Sequence, residues 1–456
     1  MASSGKTFFK HSLTVDENLC QGCTACMRMC PTGAIRIRDG KAVINGNKCV
    51  DCGECMKVCP HKALRIQQDD FALIHNYKYR VCLVPATFIG QFDTKYKTKA
   101  IYSCLNKMGF THIYEVEHEV ETVVKLYNQY MEAHPDIRTF ISPYCPAVIR
   151  LIQVKFPSLV ENVIRVRAPF ELASRAIIKT LVEEEGAERD SIGVFYVTPC
   201  AAKIAAVRSP VSGKETCISG VINMDFLYNK VQLMLHASDK DAKTINHSLT
   251  SSDVLWPLAG GETVHFKGYQ YAVDGLQNVL NFLERLEDDA IDAQGLVEMR
   301  ICDQGCVGGV LTTQDRFVAR KRLEYRARLF NRIRRKGDHR QFSDDPEFFN
   351  WISKEMEIPE IKPRSIYKLN EDYAEAFKMA ERMKKIEKVL PGVNCAACGA
   401  PSCSALAEDI VRGDASADTC IFINPDSAAS KEALKRIWGD RIKPKETNKN
   451  NQQNDS

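Results

Sequence analysis

The chain lacks any run of about 18 apolar residues that could span a bilayer, and no apolar stretch near its start resembles a secretion signal. A soluble, cytoplasmic protein without a membrane span is therefore expected. A strong charge of either sign is also missing. The 62 Lys and Arg face 58 Asp and Glu, for a net charge of +4, which argues against a surface built throughout to meet nucleic-acid phosphate. Apolar residues are absent from 443 to 456, where Lys, Asn and Gln dominate, so 441–456 is expected to be a disordered tail. Elsewhere an apolar fraction of 45% and a charged fraction of 26% are those of a globular chain, and 456 residues exceed one ordinary core, which predicts two to four domains.

Cysteine is abundant. Nineteen thiols are more than a reduced cytosolic chain needs for packing, so disulfides or metals must explain them. Their spacing favours metal: all but Cys82, Cys104 and Cys217 fall in C-x2-C-type clusters or Gly/Pro-rich turns. Those three read as buried, unreactive thiols.

The pattern C-x2-C-x2-C-x3-C-P occurs twice, as Cys20, Cys23, Cys26, Cys30, Pro31 and as Cys49, Cys52, Cys55, Cys59, Pro60. In such a repeat three thiolates of one run hold a four-iron cube, while the fourth starts a short helix and reaches the other cube. Cys20, Cys23, Cys26 and Cys59 are thus expected on one cluster, and Cys49, Cys52, Cys55 and Cys30 on the other. AIRI, a turn at Asp39-Gly40 and ALRI supply short strands. Zinc is the alternative metal, but eight cysteines in this repeated spacing with both prolines disfavour it. Residues 11 to 68 resemble the bacterial two-cluster ferredoxins.

After residue 75 the pattern alternates strand and helix. YRVCLVP, SIGVFYVTP and YQYAVDG read as buried strands, VETVVKLYNQYMEA and FELASRAIIKTLVEEE as amphipathic helices. Between Asp315 and Arg340 a basic helix carries Leu323, Phe330 and Ile333 on its apolar side and otherwise reads as a solvated face or link. Near the end, the helical EDYAEAFKMAERMKKIEKVL leads to Cys395, Cys398, Cys403 and Cys420, spaced C-x2-C-x4-C-x16-C with Gly399 and Pro401 in the turn. Four thiolates without a nearby His suit a 4Fe-4S cluster or a structural zinc. The spacing resembles the cluster domain found beside corrinoid proteins and in some membrane electron-transfer complexes, which favours iron-sulfur.

Four more cysteines stand in the middle segment: Cys145 in SPYCP, Cys200 in TPCAAK, and Cys302 and Cys306 in EMRICDQGCVGG. They are enough to ligate one further four-iron cluster, and Gly305, Gly308 and Gly309 let backbone approach a bulky group. In order and separation these segments resemble the three signature loops of the iron-iron hydrogenases, over about residues 76 to 320. The resemblance implies an H-cluster, in which all four cysteines hold a 4Fe-4S cube. Cys306 would also bridge to a two-iron subcluster with carbonyl, cyanide and azadithiolate ligands, and Lys203 would hydrogen-bond a cyanide. Hydrogen would be split between the distal iron and the cofactor's amine.

The departures from that family are specific. Where catalytic members carry a proton-relaying cysteine stands Tyr144, a phenol of pKa about 10 against about 8.5 for a thiol, and therefore a poorer relay at neutral pH. Two methionines that pack the subcluster are replaced by Thr198 and Arg300, and Arg300 is equally able to point outward to Glu298. The third loop's glycine-rich ending is shortened. Glu115, Glu117, Glu119 and Glu121 read either as an outer proton route or as a solvated edge.

The expected architecture is a small α+β two-cluster ferredoxin domain at 1–75, an α/β H-cluster domain at 76–365, and a small, mainly helical 4Fe-4S domain at 366–440. The resemblance implies an anaerobic, low-turnover oxidoreductase that activates hydrogen and senses hydrogen or redox state. Its partners would be an electron-transfer or signalling protein, with a kinase or phosphatase among the candidates, and maturation proteins. The competing readings are an ordinary ferredoxin-coupled hydrogenase and a cluster-binding scaffold, related to the eukaryotic iron-sulfur assembly factor, that lacks the two-iron subcluster.

Overall fold

The computed structural model describes residues 11–211, 216–235, 249–333, 345–364, 369–370, 372–423 and 428; the expected tail lies outside them. The chain divides into two units, a larger one of residues 1–14, 46–57 and 65–366 and a smaller one of 15–45, 58–64 and 367–456. Cys49, Cys52 and Cys55 thus belong to the larger unit, whereas Cys20, Cys23, Cys26, Cys30 and Cys59 belong to the smaller.

The larger unit is built on two parallel sheets. One has the order β2-β1-β4-β5, from β1 (Tyr79–Val84), β2 (His112–Glu115), β4 (Ile192–Thr198) and β5 (Gly220–Asn223). The other has the order β6-β7-β3, from β3 (Thr139–Ile141), β6 (Gln270–Asp274) and β7 (Gly295–Arg300). All of β4 and β5 is buried, as strands covered by helices on both faces must be, which explains their unbroken Val, Ile and Phe. YQYAVDG departs from expectation: β6 is only half-buried. It is an edge of its sheet, where among the described residues it pairs with β7, but that position is not the reason, since the edge strands β3 and β5 are buried throughout.

Helices follow the strands where the sequence places them. α1 (Val120–Ala133) and α3 (Pro169–Glu185) are the two amphipathic segments, and α3 begins on Pro169 and ends at Gly186 with φ 62°. α2 (Pro146–Lys155) and α4 (Ala201–Arg208) start directly after Cys145 and Cys200. The basic segment forms α5 (Arg316–Ile333), which buries Ala319, Leu323 and Ala327 against Ala86, Val254 and Val307. Its solvated face is half the account, because Arg326 is also buried and donates to the Asp93 carbonyl. The side chains of Phe330 and Ile333 lie outside the described residues.

In the smaller unit Ile35–Arg38 and Lys41–Ile44 form an antiparallel hairpin whose turn residues Asp39 and Gly40 both have positive φ, as a tight two-residue turn requires. The helices Tyr373–Val389 and Cys403–Arg412 belong to the same unit, capped by Asp372 and Ser402. Here the hairpin meets the C-terminal cysteine turn. The Ile37 amide donates to the Gly399 carbonyl at 2.9 Å, and Arg36 and Arg38 both pair with Asp409, at 2.7 and 2.6 Å. A side chain at Gly399 would strike the Ile37 carbonyl at 2.1 Å, so only glycine closes this contact.

One local expectation is corrected. The fourth cysteine of each ferredoxin run does not start a helix: Ala25–Met29 and Glu54–Val58 precede Cys30 and Cys59. The three residues between third and fourth cysteines are one helical turn, and the proline that follows cannot donate the bond needed to continue it.

Candidate active site

Cys145 follows β3, Cys200 follows β4, and Cys302 follows β7, so the middle site gathers at the carboxyl ends of strands from both sheets, where ligands of α/β folds bind. Cys145 and Cys200 are the residues immediately before helices, where amides point outward and favour a thiolate. The four thiols lie within electrostatic reach of one another: burial first, and then Cys200, Cys145 and Cys306, hold the Cys302 thiol well above its usual range. Burial likewise pushes Cys200 up to about 12, against the pull of Lys203. Thiols raised as Cys200 and Cys302 are would stay protonated alone, and a polynuclear iron centre is the partner that would take their negative charge. A four-iron cube fits this donor set.

Around Cys306 the chemistry is cationic. Lys203 Nζ stands 3.7 Å from the Cys306 sulfur and donates to the Tyr144 hydroxyl at 3.2 Å, while Arg300 Nη1 lies 4.0 Å from the same sulfur. Burial works against the Lys203 ammonium, but Cys306, Tyr144 and Tyr196 hold its pKa well above the ordinary lysine range. Both cations lie against the Tyr144 ring, Lys203 Nζ at 4.3 Å and the Arg300 guanidinium at 4.1 Å from its centre. Burial raises the Tyr144 pKa well above that of a free phenol.

Arg300 points inward, resolving the two orientations open to it, and still pairs with Glu298. Its Nε meets Glu298 at 2.7 Å, and its Nη2 meets Glu262 at 2.9 Å and the Trp256 carbonyl at 2.7 Å. Glu298 also accepts backbone bonds from Gly260 and Glu262, and Glu262 accepts from the Ser142 hydroxyl. Glu262, which sequence reasoning did not single out, is fully buried, and burial pushes its pKa up to about 7 against Arg300. Its only sequence signal was a carboxylate inside the apolar, glycine-rich LWPLAGGETV.

Two cations beside one sulfur suit the anionic ligands of a two-iron group, and Lys203 and Arg300 are the residues that would hold them. Space is less free than charge, because the Tyr144 hydroxyl sits 3.7 Å from the Cys306 sulfur. Thr198, expected beside that group, bonds the backbone of its own loop, accepting from the Cys200 amide and donating to the Cys200 carbonyl. Of the four glutamates, Glu115, Glu117 and Glu119 are buried and Glu121 is on the surface. Burial pushes Glu117 up to about 8; it accepts from the Ala86 amide, and Lys203 lies within its electrostatic reach.

The Cys49–Cys55 loop shares the larger unit. A Cβ on Gly53 would strike Val310 at 2.6 Å, and Lys57 lies within electrostatic reach of both Cys52 and Cys302. Asp51 pairs at 2.6 Å with Arg150 of α2, both without solvent exposure, and accepts from Ser12, whose hydroxyl donates to the Ala201 carbonyl. This polar tie fixes the loop to the two helices that start at Cys145 and Cys200, and nothing in the cysteine spacing announced it.

In the smaller unit Cys20, Cys23, Cys26 and Cys59 line one cavity with Gly22 and Ala42. Burial first, then Cys23, Cys20 and Cys59, push the Cys26 thiol up to about 11. Cys398, Cys403 and Cys420 cluster with Leu406 and Ala407, and Cys398 feels Cys395 and Cys420. Of the leftover thiols Cys82 and Cys104 are buried, as read, whereas Cys217 is only partly so.

Three family models match the chain. Residues 78–248 match the iron-only hydrogenase large subunit, C-terminal domain. That part of the chain is similar to a hydrogenase domain, over less than half of the 456 residues. Residues 12–82 match a 4Fe-4S dicluster domain and residues 390–422 an Fe-S cluster model. The hydrogenase match includes Tyr144, Cys145, Cys200 and Lys203 but ends before Cys302 and Cys306, which the fold brings to the same site. Among curated proteins, a component of the ion-translocating oxidoreductase complex of Rhodobacter capsulatus is 47% identical over 38 residues, 8% of this chain. The match spans only a fifth of that relative's length. Among solved structures, two variants of an iron-iron hydrogenase from Chlamydomonas reinhardtii are 14% identical, with TM-scores of 0.47 and 0.46, covering 63% of this chain and 95% of theirs. Among the described residues no helix is long and apolar enough to cross a membrane.

Proposed function

We propose that the protein reversibly activates hydrogen at an H-cluster held by Cys145, Cys200, Cys302 and Cys306, slowly, and reports hydrogen or redox state to a partner. The carrying observation is the convergence on the Cys306 sulfur of buried Lys203, from the segment similar to the hydrogenase domain, and buried Arg300. A four-iron cube alone needs no such cations. When bound, the two-iron group would supply an open metal position and a base for heterolytic cleavage. The chain's own residues do the rest. Lys203 and Arg300 fix and neutralise anionic ligands, and Glu298 and Glu262 hold Arg300 in place. Proton movement is where this chain differs, because Tyr144 keeps its proton at neutral pH and so cannot relay as a thiol would.

Electrons would leave through the Cys49–Cys55 loop, and the partner would be an electron-transfer or signalling protein. Ferredoxin-type cubes on the two cysteine runs and a third on Cys395, Cys398, Cys403 and Cys420 complete the proposed cofactor set, with domain limits near residues 75, 365 and 440. One observation favours a second reading, a scaffold with cubes only: the Tyr144 hydroxyl against Cys306. Incubating the matured protein with hydrogen in deuterated water separates them. Formation of HD, at a rate well below that of catalytic hydrogenases, is the expected result; no HD at all favours the scaffold.

A further inference from the structure

Beside the first cysteine loop the larger unit contains a cavity walled by Pro143, Pro146, Ile149, Val166, Phe170 and Ile358, with Arg167 and Glu171 as its charged members. Arg167 is only 4% exposed, yet its Nε makes no hydrogen bond, and its nearest carboxylate oxygen, on Glu171, is 3.8 Å from Nη1. That carboxylate is already engaged by Arg175, at 2.6 Å. Arg175 is buried too, and its other acidic neighbour, Glu355, is half exposed and 3.8 Å away. Two buried guanidiniums therefore share one buried carboxylate. Burying part of a cation without a hydrogen-bond partner is costly, and a guanidinium left this way at a cavity wall suits an anionic occupant.

We propose that this cavity binds a small organic anion, a short-chain carboxylate, with its carboxylate on Arg167 and its alkyl end against Pro143, Pro146, Ile149 and Phe170. A guanidinium presents paired N–H groups that match a carboxylate. Inorganic phosphate fits poorly, since its remaining oxygens would face hydrocarbon and Glu171 would repel a second negative charge. Pro143 and Pro146 bracket Tyr144 and Cys145, so an occupant would brace the loop that brings those residues to the thiol site. Burial, and then Arg175, lower the pKa of Arg167, as expected for a cation short of a counter-charge.

Calorimetric titration of the anaerobically reconstituted full chain with butyrate tests this, against butylamine of the same chain length and inorganic phosphate. Saturable binding of butyrate alone is expected, weakened by about tenfold or more in Arg167→Gln and partly kept in Arg167→Lys. Should Arg167→Gln not fold, hydrogen exchange on the wild type decides: butyrate should slow exchange at 147–152 and 166–173. Equal binding of butylamine, unchanged affinity in a folded Arg167→Gln, or no butyrate binding and no slowing would each overturn the proposal. None of these readouts depends on the two-iron group, so the site stands or falls separately from hydrogen activation.

Discussion

The sulfur of Cys306 has two buried cations within 4.0 Å, whereas the groups acting on Cys398 in the smaller unit are its own partners Cys395 and Cys420 and nearby amides. Both regions offer four thiols from a tight turn and a helix start, so the ligands alone do not distinguish them. What differs is the second layer. Around Cys398 lie Leu406, Ala407 and Leu390, which would shield a cube from water and suit it to hold and pass one electron. Around Cys306 lie Lys203, Arg300 and the carboxylates that hold Arg300, an arrangement that can stabilise more negative charge than a cube brings.

The largest way to break this contrast is to remove its keystone. Arg300→Leu leaves Glu262 and Glu298 buried without their cation and should cost the larger unit about 3–5 kcal/mol in chemical denaturation. The smaller unit's cubes, followed by their electron paramagnetic resonance signals, should persist. A loss under about 1 kcal/mol would mean that the network is not what holds the site. Next in size is a pH effect confined to the larger unit. Glu117 is raised to about 8 in the fold against about 4.3 when unfolded, so the native state keeps a proton that the unfolded chain has lost. Stability contributed by this group is present below about pH 4 and falls as pH rises towards 8, by on the order of a few kcal/mol. Glu117→Gln should flatten part of that slope between pH 5 and 8, as read from denaturation midpoints; an unchanged slope would place the titrating carboxyl elsewhere.

In the smaller unit Cys420→Ala should remove one cube, about four irons per chain, and leave hydrogen-dependent signals of the middle site intact. Loss of the ferredoxin signals as well would show that these sites do not stand apart. The smallest effect is expected at Tyr144. Tyr144→Cys should raise turnover by a few-fold, because a thiol can accept and donate near pH 7. Tyr144→Phe, which keeps the ring against Lys203 and Arg300, should leave turnover unchanged if the phenol only packs.

Cysteine spacing made legible the thiol groups at Cys20–Cys26 with Cys59, at the middle site and around Cys398, because ligation restricts both residue type and separation, and buried strands such as SIGVFYVTP announced themselves by unbroken apolar runs. The charged surroundings of Cys306 were legible only in part, through Lys203, Arg300 and Glu298. Glu262, Ser142 and Trp256 come from segments far from Arg300 in the chain, and only the fold brings them together. The Asp51–Arg150 pair was hidden for the same reason, its members standing 99 positions apart. The half-burial of β6 was illegible because an apolar run does not say which neighbours will cover a strand.

Infrared spectroscopy of the protein matured with the two-iron cofactor tests the central claim most directly, since carbonyl and cyanide ligands absorb where polypeptide does not. Bands of both ligands are predicted, with the cyanide bands shifting in Lys203→Met as a hydrogen bond is lost. A fully matured protein that shows its four-iron signals but neither carbonyl nor cyanide bands would contradict the account and leave a cluster scaffold in its place.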